Sequence, residues 1–259
     1  MRKSLELSLI VGLSLVAVRA RADVWDVQTQ GDNDTGTQNE LVQGSDQLHD
    51  LGALPGPTAD EDWYRIAQEP YSSYEVVADA TSGDIGTAVN LELIANDGTT
   101  VLGSSQPIGV GYSRSLRFGN PTASPVNDQY LRVTSASCTT NCGPDDVYRV
   151  RSYETTYSIP RFNNFQTQIT ALLVQNPSAY TITGSIYFWQ GPGNLITTVP
   201  LTLAPKETFV LNTSTVAAGL AGSITIANDG RYGDLSGKTV ALEPATGFSF
   251  DSPMVARPH

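Results

Sequence analysis

The chain has 259 residues, with 26 Asp and Glu against 15 Lys and Arg, a net charge of −11 at pH 7 and 40% apolar residues. That balance excludes nucleic acid and anionic membrane surfaces as partners, since both are held by Lys and Arg neutralising phosphate. The negative charge is left to serve solubility or to supply oxygen ligands to calcium.

In chain order, Arg2 and Lys3 are followed by an apolar run from Leu7 to Val18 and by Ala20 and Ala22 in an A-x-A arrangement. This is the pattern of a secretory signal peptide, residues 1–22, cleaved after Ala22. The apolar run is shorter than the roughly 20 residues needed to cross a bilayer. No later stretch is long enough either, so no membrane insertion is expected after cleavage; an uncleaved N-terminal anchor is the alternative. The mature chain is expected to be secreted, whether extracellular, held at the cell surface or periplasmic. Removing Arg2, Lys3, Arg19, Arg21 and Glu6 leaves 11 basic and 25 acidic residues, a net charge of −14.

Beyond that segment the apolar period is two almost everywhere, as half-buried strands require. DWYRIA, SYEVVADA, LELIA, TVLGS, SLRFG, QYLRVTS and VYRVRSY come before a break; YSIPRF, QITALLVQN, TITGSIYFW, LITTVPLTL, TFVLNT, GSITIA and KTVALEP come after it. ANDGTT, QGPGN and ANDGRYGD supply Asp-Gly and Gly-Pro-Gly turns between strands. No window of 12 or more residues carries a capped 3.6-residue period, and STVAAGLAG makes one helical turn at most. The pattern predicts an all-β chain of two antiparallel β-sandwiches in tandem, residues 23–153 and 154–259. They abut near SYETTYSIP (152–160), which has no Pro/Gly/Ser-rich linker and so leaves limited freedom between them.

The chain's two cysteines, Cys138 and Cys142, lie between the β-prone runs Tyr130–Thr134 and Val147–Ser152. In an exported chain a lone close pair reads as a disulfide, here a clip at the tip of a hairpin formed by those runs. Closing so small a loop stabilises by roughly 2 kcal/mol. A zinc site would need two more ligands, for which only His49 and the terminal His259 remain. A redox role has neither the C-x-x-C spacing nor the helix N-terminus that lowers a thiol pKa.

NDTGTQNEL, ADEDWYRI, LELIANDGTTVL, RSLRF, DQYLRVTS and DVYRVRSY follow one another between residues 33 and 153. In that order they resemble the landmarks of the bacterial pre-peptidase C-terminal domain, over roughly residues 30–153. The resemblance implies a jelly-roll-like sandwich appended to exported proteins, with collagen-binding relatives. It also implies a calcium site. Relatives hold the ion with an acidic N-terminal segment and carboxylates just before the Trp/Tyr strand, and the residues on that pattern are Asn33, Asp34, Asp60 and Asp62, with Asp32 an extra carboxylate. Gly31 stands where relatives often have Glu. The alternative is a solvated acidic turn.

The second module resembles the Ig-like or fibronectin-like sandwiches of exported bacterial proteins, with its Asn-ended strand, aromatic-ended strand, G-rich hairpin and Leu-x-Pro before another strand. In NDGRYGDLSGKTVALEPATGFSFDSP, Phe248 and Phe250 are expected to alternate into the core and DGRYGD to form a plain hairpin; a loop-rich recognition surface is the alternative. Catalysis finds no motif. His49 in QLHDLG precedes a predicted strand, there is no G-x-S-x-G, and GYSRS at Gly111–Ser115 is the nearest miss. Lys206 and Lys238, both read as turn positions, would have to serve any Ser-Lys dyad. Glu243 and Asp251 form the least unreasonable carboxylate pair.

The expectation is therefore a non-enzymatic module binding an extracellular protein or polysaccharide, with Tyr71, Tyr74, Tyr112, Tyr130, Tyr148 and Tyr153 as candidate platform aromatics. The alternatives are a structural subunit or spacer that self-assembles through sheet edges, and an accessory secretion or folding domain.

Overall fold

The computed structural model describes residues 33–51, 60–80, 89–109, 112–135, 146–191 and 193–257; the predicted signal peptide, Asp32, Cys138, Cys142 and His259 lie outside them. The first half forms β1 (Asp46–Asp50), β2 (Asp62–Gln68), β3 (Ser72–Ala80), β4 (Asn90–Ile94), β5 (Val101–Ser104), β6 (Gln106–Pro107), β7 (Arg114–Asn120), β8 (Val126–Thr134) and β9 (Val147–Glu154). These make two antiparallel sheets, ordered β1-β9-β3-β7-β6 and β2-β8-β4-β5. Their inner faces meet because alternate residues are apolar: Val76 and Ala78 from β3, and Tyr148 and Val150 from β9, pack against Tyr64, Leu91, Leu131 and Val133.

This corrects the expected hairpin around the cysteines. β8 lies between β2 and β4, whereas β9 lies between β1 and β3, so the two runs sit in opposite sheets and do not pair. Leu131 and Val133 fill the core from one side and Tyr148 and Val150 from the other, a job that two neighbouring strands of one sheet could not share. The proposed disulfide itself falls outside the described residues. His49 is also placed differently, within β1, where it pairs with Tyr148.

The second half forms β10 (Tyr157–Asn163), β11 (Ile169–Gln175), β12 (Ile182–Trp189), β13 (Leu195–Leu203), β14 (Thr208–Asn212), β15 (Ala221–Asn228), β16 (Ser236–Glu243), β17 (Phe248–Pro253) and β18 (Val255–Ala256). Its sheets are ordered β13-β12-β15-β10-β18 and β14-β11-β16-β17. A separate core holds Ile159, Phe162, Leu172, Val174, Ile186, Phe188, Ile224 and Ile226. The fold is all-β, with two sandwiches in tandem. STVAAGLAG contributes one 3-10 turn, Thr213–Thr215, capped by the Asn212 side chain. No helix among the described residues is long and apolar enough to cross a membrane.

Expectations for β16 and β17 are overturned. Phe248 is 75% exposed and Phe250 39% exposed, with the Arg161 guanidinium over the Phe250 ring. β17 is an edge strand overhanging the core, so alternation along it buries neither ring. Lys238 belongs to strand β16, where it pairs with Asp251 on β17 at 2.6 Å.

The sandwiches meet through the connection at Thr155 and Thr156. Asn228 donates from its backbone to Ser73 Oγ (3.0 Å) and from its side chain to the Thr155 carbonyl (2.9 Å). Tyr232 donates its N–H to Glu75 Oε2 (2.7 Å) and stacks on Tyr153 at 4.9 Å. Arg117 reaches the Asp229 carbonyl. DGRYGD is therefore a docking loop rather than a plain hairpin, since Asp229 and Tyr232 both bond the first module.

Candidate binding groove

Alternation on β12 sends Ile186 and Phe188 into the core and Ser185, Tyr187 and Trp189 to the opposite face. On β15, Ser223, Thr225 and Ala227 stand beside them, paired with Trp189, Tyr187 and Ser185 respectively. The Trp189 indole donates to Thr225 Oγ1 at 2.8 Å, which fixes the ring. The strand beneath must approach closely: a Cβ on Gly222 would lie 1.7 Å from the Trp189 carbonyl oxygen, so only glycine fits there.

The first module supplies the facing wall. Between β2 and β3 the chain turns from one sheet to the other through Glu69, Pro70 and Tyr71, and Tyr71 takes φ of 54°. That left-handed conformation costs a non-glycine residue about 1–2 kcal/mol. It is held from both sides. Tyr71 N–H donates to the Thr122 carbonyl (3.2 Å), and buried Asn120 donates to the carbonyls of Glu69 (3.1 Å) and Ser124 (2.7 Å) while accepting the Thr122 N–H (3.0 Å). The Tyr71 ring then packs on the second module, 4.9 Å from Tyr187 at 60° and 5.1 Å from Trp189 at 72°.

Beside these rings lies an open cleft of about 630 Å³ lined by Pro70, Tyr71, Trp189, Ser223, Thr225 and Arg257, among others. Gly191 and Gly193, both with positive φ, form a rim where an added Cβ would meet nothing within 4 Å. Arg257 is bound to the buried Glu154 carboxylate at 2.6 Å and to the Pro70 carbonyl at 3.3 Å. Toward the Ser185 end of β12 a smaller hollow of about 260 Å³ follows, between Tyr187 and the Phe118–Pro121 edge. Both hollows lie along the module junction.

Of the six tyrosines singled out from the sequence, Tyr71 alone enters this cleft. Tyr74 stacks on Phe118 at 5.6 Å, Tyr130 lies against Trp63, Tyr112 is exposed, Tyr148 is in the core and Tyr153 meets Tyr232. Tyr187 and Trp189 were not singled out. The signal was present in SIYFW, whose alternation opposes two aromatics to Ile186 and Phe188.

The acidic residues divide. Asn33, with its amide nitrogen turned inward, donates to Asp60 Oδ1 (2.8 Å) and the Glu61 carbonyl (3.3 Å). Asp34 accepts the Gly36 N–H at 2.7 Å within its own exposed turn. Asp62 is buried and accepts the Tyr148 hydroxyl at 2.5 Å. Asn33 and Asp60 are thus brought together, Asp34 is engaged in its own turn and Asp62 with Tyr148, and Asp32 lies outside the described residues; no group of three or more His, Cys, Asp or Glu suited to a metal occurs among the described residues.

His49 is buried between Tyr64 (5.0 Å) and Tyr148 (5.6 Å), and its Nε2 lies 3.1 Å from Gln47 Oε1. The Tyr64 and Tyr148 hydroxyls are 2.7 Å apart. Burial, reinforced by the Asp62 charge, pushes the Tyr148 hydroxyl well above the usual tyrosine range. This array is sealed within the first sandwich. Glu243 pairs with Phe248 and Asp251 with Val240; Val240 and Glu243 are three positions apart on β16, an odd offset, so the two carboxylates face opposite sides of the sheet.

No protein-family model matches the chain, and no curated protein matches it. Among solved structures, a calcium-binding mutant of Bacteroides uniformis beta-glucuronidase 2 is similar at 12% identity over 81% of this chain, with a TM-score of 0.19. The match covers 32% of that protein's own chain. A score so low carries no argument about fold or function.

Proposed function

We propose that the protein is a secreted, non-catalytic module that holds an extracellular polymer in the groove at the junction of its two sandwiches. The observation that carries this reading is the aromatic corner of Tyr71 and Trp189, which opens onto a 630 Å³ cleft. Rigid aromatics give large contact area at low entropy cost, and a concave, largely preformed site of this size is what a ligand site needs. The resemblance of the first module to pre-peptidase C-terminal domains, and the export signal, favour an extracellular recognition role. Incubation of the protein with insoluble collagen, cellulose, chitin and peptidoglycan tests it. Retention on one of these, reduced by Trp189→Ala and not by Tyr112→Ala, supports the groove; retention unaffected by Trp189→Ala refutes it.

One observation favours a second reading, a self-assembling structural subunit. Edge strand β17 carries the exposed Phe248, and Ile169 and Leu242 are exposed on the neighbouring strands. Unpaired edges with apolar side chains are templates for chain-to-chain pairing. Light scattering that grows with concentration, and that Phe248→Glu abolishes, would favour this reading over the groove.

A further inference from the structure

Resting on the groove reading, we infer that the polymer is an uncharged polysaccharide, held with a sugar ring in the corner between Tyr71 and Trp189. The two rings stand at 72° to each other, so they form adjoining walls rather than a closed stack. A pyranose presents weakly positive C–H groups on its faces, and these meet the negative face of an aromatic ring. Its hydroxyls both donate and accept, and so do the hydroxyls of Ser223 and Thr225 in the cleft. Thr225 Oγ1 accepts the Trp189 indole N–H, which leaves the threonine proton available for a ligand oxygen.

Charge argues against a polyelectrolyte. Among the described residues, Arg257 is the one charged side chain lining the cleft, and Glu154 lies 2.6 Å from it. The cleft therefore offers no net charge to an acidic or a basic chain, and the whole molecule, at −11, repels polyanions.

One peptide mode is also disfavoured. Strand addition needs a free edge, whereas β12 lies between β13 and β15, and β15 between β12 and β10.

Native affinity electrophoresis of the full chain tests this. The gels contain one of four neutral polysaccharides (a mixed-linkage β-glucan, xylan, galactomannan or dextran), or polygalacturonate, or gelatin. Retardation in at least one neutral gel is expected, weakened about tenfold or more by Trp189→Ala and unchanged by Tyr112→Ala. Trp189→Phe, which keeps an aromatic face, is expected to restore part of the retardation; circular dichroism and melting check that each variant is folded. In the unmutated protein, the retarding glycan should also shift tryptophan emission, a readout that survives if Trp189→Ala does not fold. Retardation that depends on Trp189 only in gelatin or polygalacturonate overturns the sugar assignment and leaves the groove standing. No Trp189-dependent retardation in any gel, with no change in emission, overturns both.

Discussion

Tyr148 shows how much a single buried hydroxyl carries. It donates to Asp62 at 2.5 Å and lies 2.7 Å from the Tyr64 hydroxyl, so Tyr148→Phe removes the group that bridges the two. The expected cost is about 1–3 kcal/mol, read as a lower urea midpoint at pH 7. The pH dependence has a definite sign. The folded state holds the Tyr148 proton well above the usual range, and the hydroxyl of Tyr180 is pushed up to about 12 by burial and its bond to Asp234. The unfolded chain releases such protons near pH 10. Below that, their contribution is fully present; it falls as pH rises from about 10 toward the folded-state values. The urea-midpoint gap between the native chain and Tyr148→Phe should therefore narrow above about pH 10, and a gap constant across that range contradicts this account.

Among the elements, the corner between β2 and β3 depends on Asn120, which ties the Glu69 and Ser124 carbonyls and the Thr122 N–H into one wall. Asn120→Ala is expected to cost about 1–3 kcal/mol and to speed amide exchange at Tyr71 more than at the core strand amides of Val76 and Ala78; uniform acceleration would mean the bonds act globally. Fourteen strands were legible in the sequence because alternation alone specifies them; Leu131 and Val133 in β8, or Ile186 and Phe188 in β12, are enough. Two longer strands escaped. β1 reads DQLHD, where polar side chains occupy inward positions, and β17 reads FSFDSP, whose aromatics point to solvent. Sheet membership was less legible than strand position. Alternation says which residues face a core and not from which side, so β8 and β9 read as neighbours although they lie across the sandwich from each other. The groove was least legible, because Tyr71 and Trp189 are brought together only by the packing of two modules.

At the scale of the whole molecule, the junction is wide and hydrogen-bonded. Asn228 and Tyr232 of one module bond Ser73 and Glu75 of the other, Asn228 also bonds Thr155 in the connection, and Tyr71 rests on Tyr187 and Trp189. The two sandwiches are expected to melt together in one calorimetric transition. Ser73→Ala removes the acceptor of the Asn228 N–H and of the Thr155 hydroxyl, and should split or broaden that transition; two transitions in the unmutated protein would show that the junction couples nothing. The backbone of Tyr71 belongs to one sandwich and its ring rests on the other, which places the bend and its counterweight at opposite ends of synthesis. Trp189 leaves the ribosome 118 residues after Tyr71, a delay of roughly 6–24 s at about 5–20 residues per second. During that interval the nascent N-terminal half has nothing on which to seat the ring. Its bend is then held by the first half's own bonds to Thr122 and through Asn120 alone, and docking of the later half adds the seat for the ring.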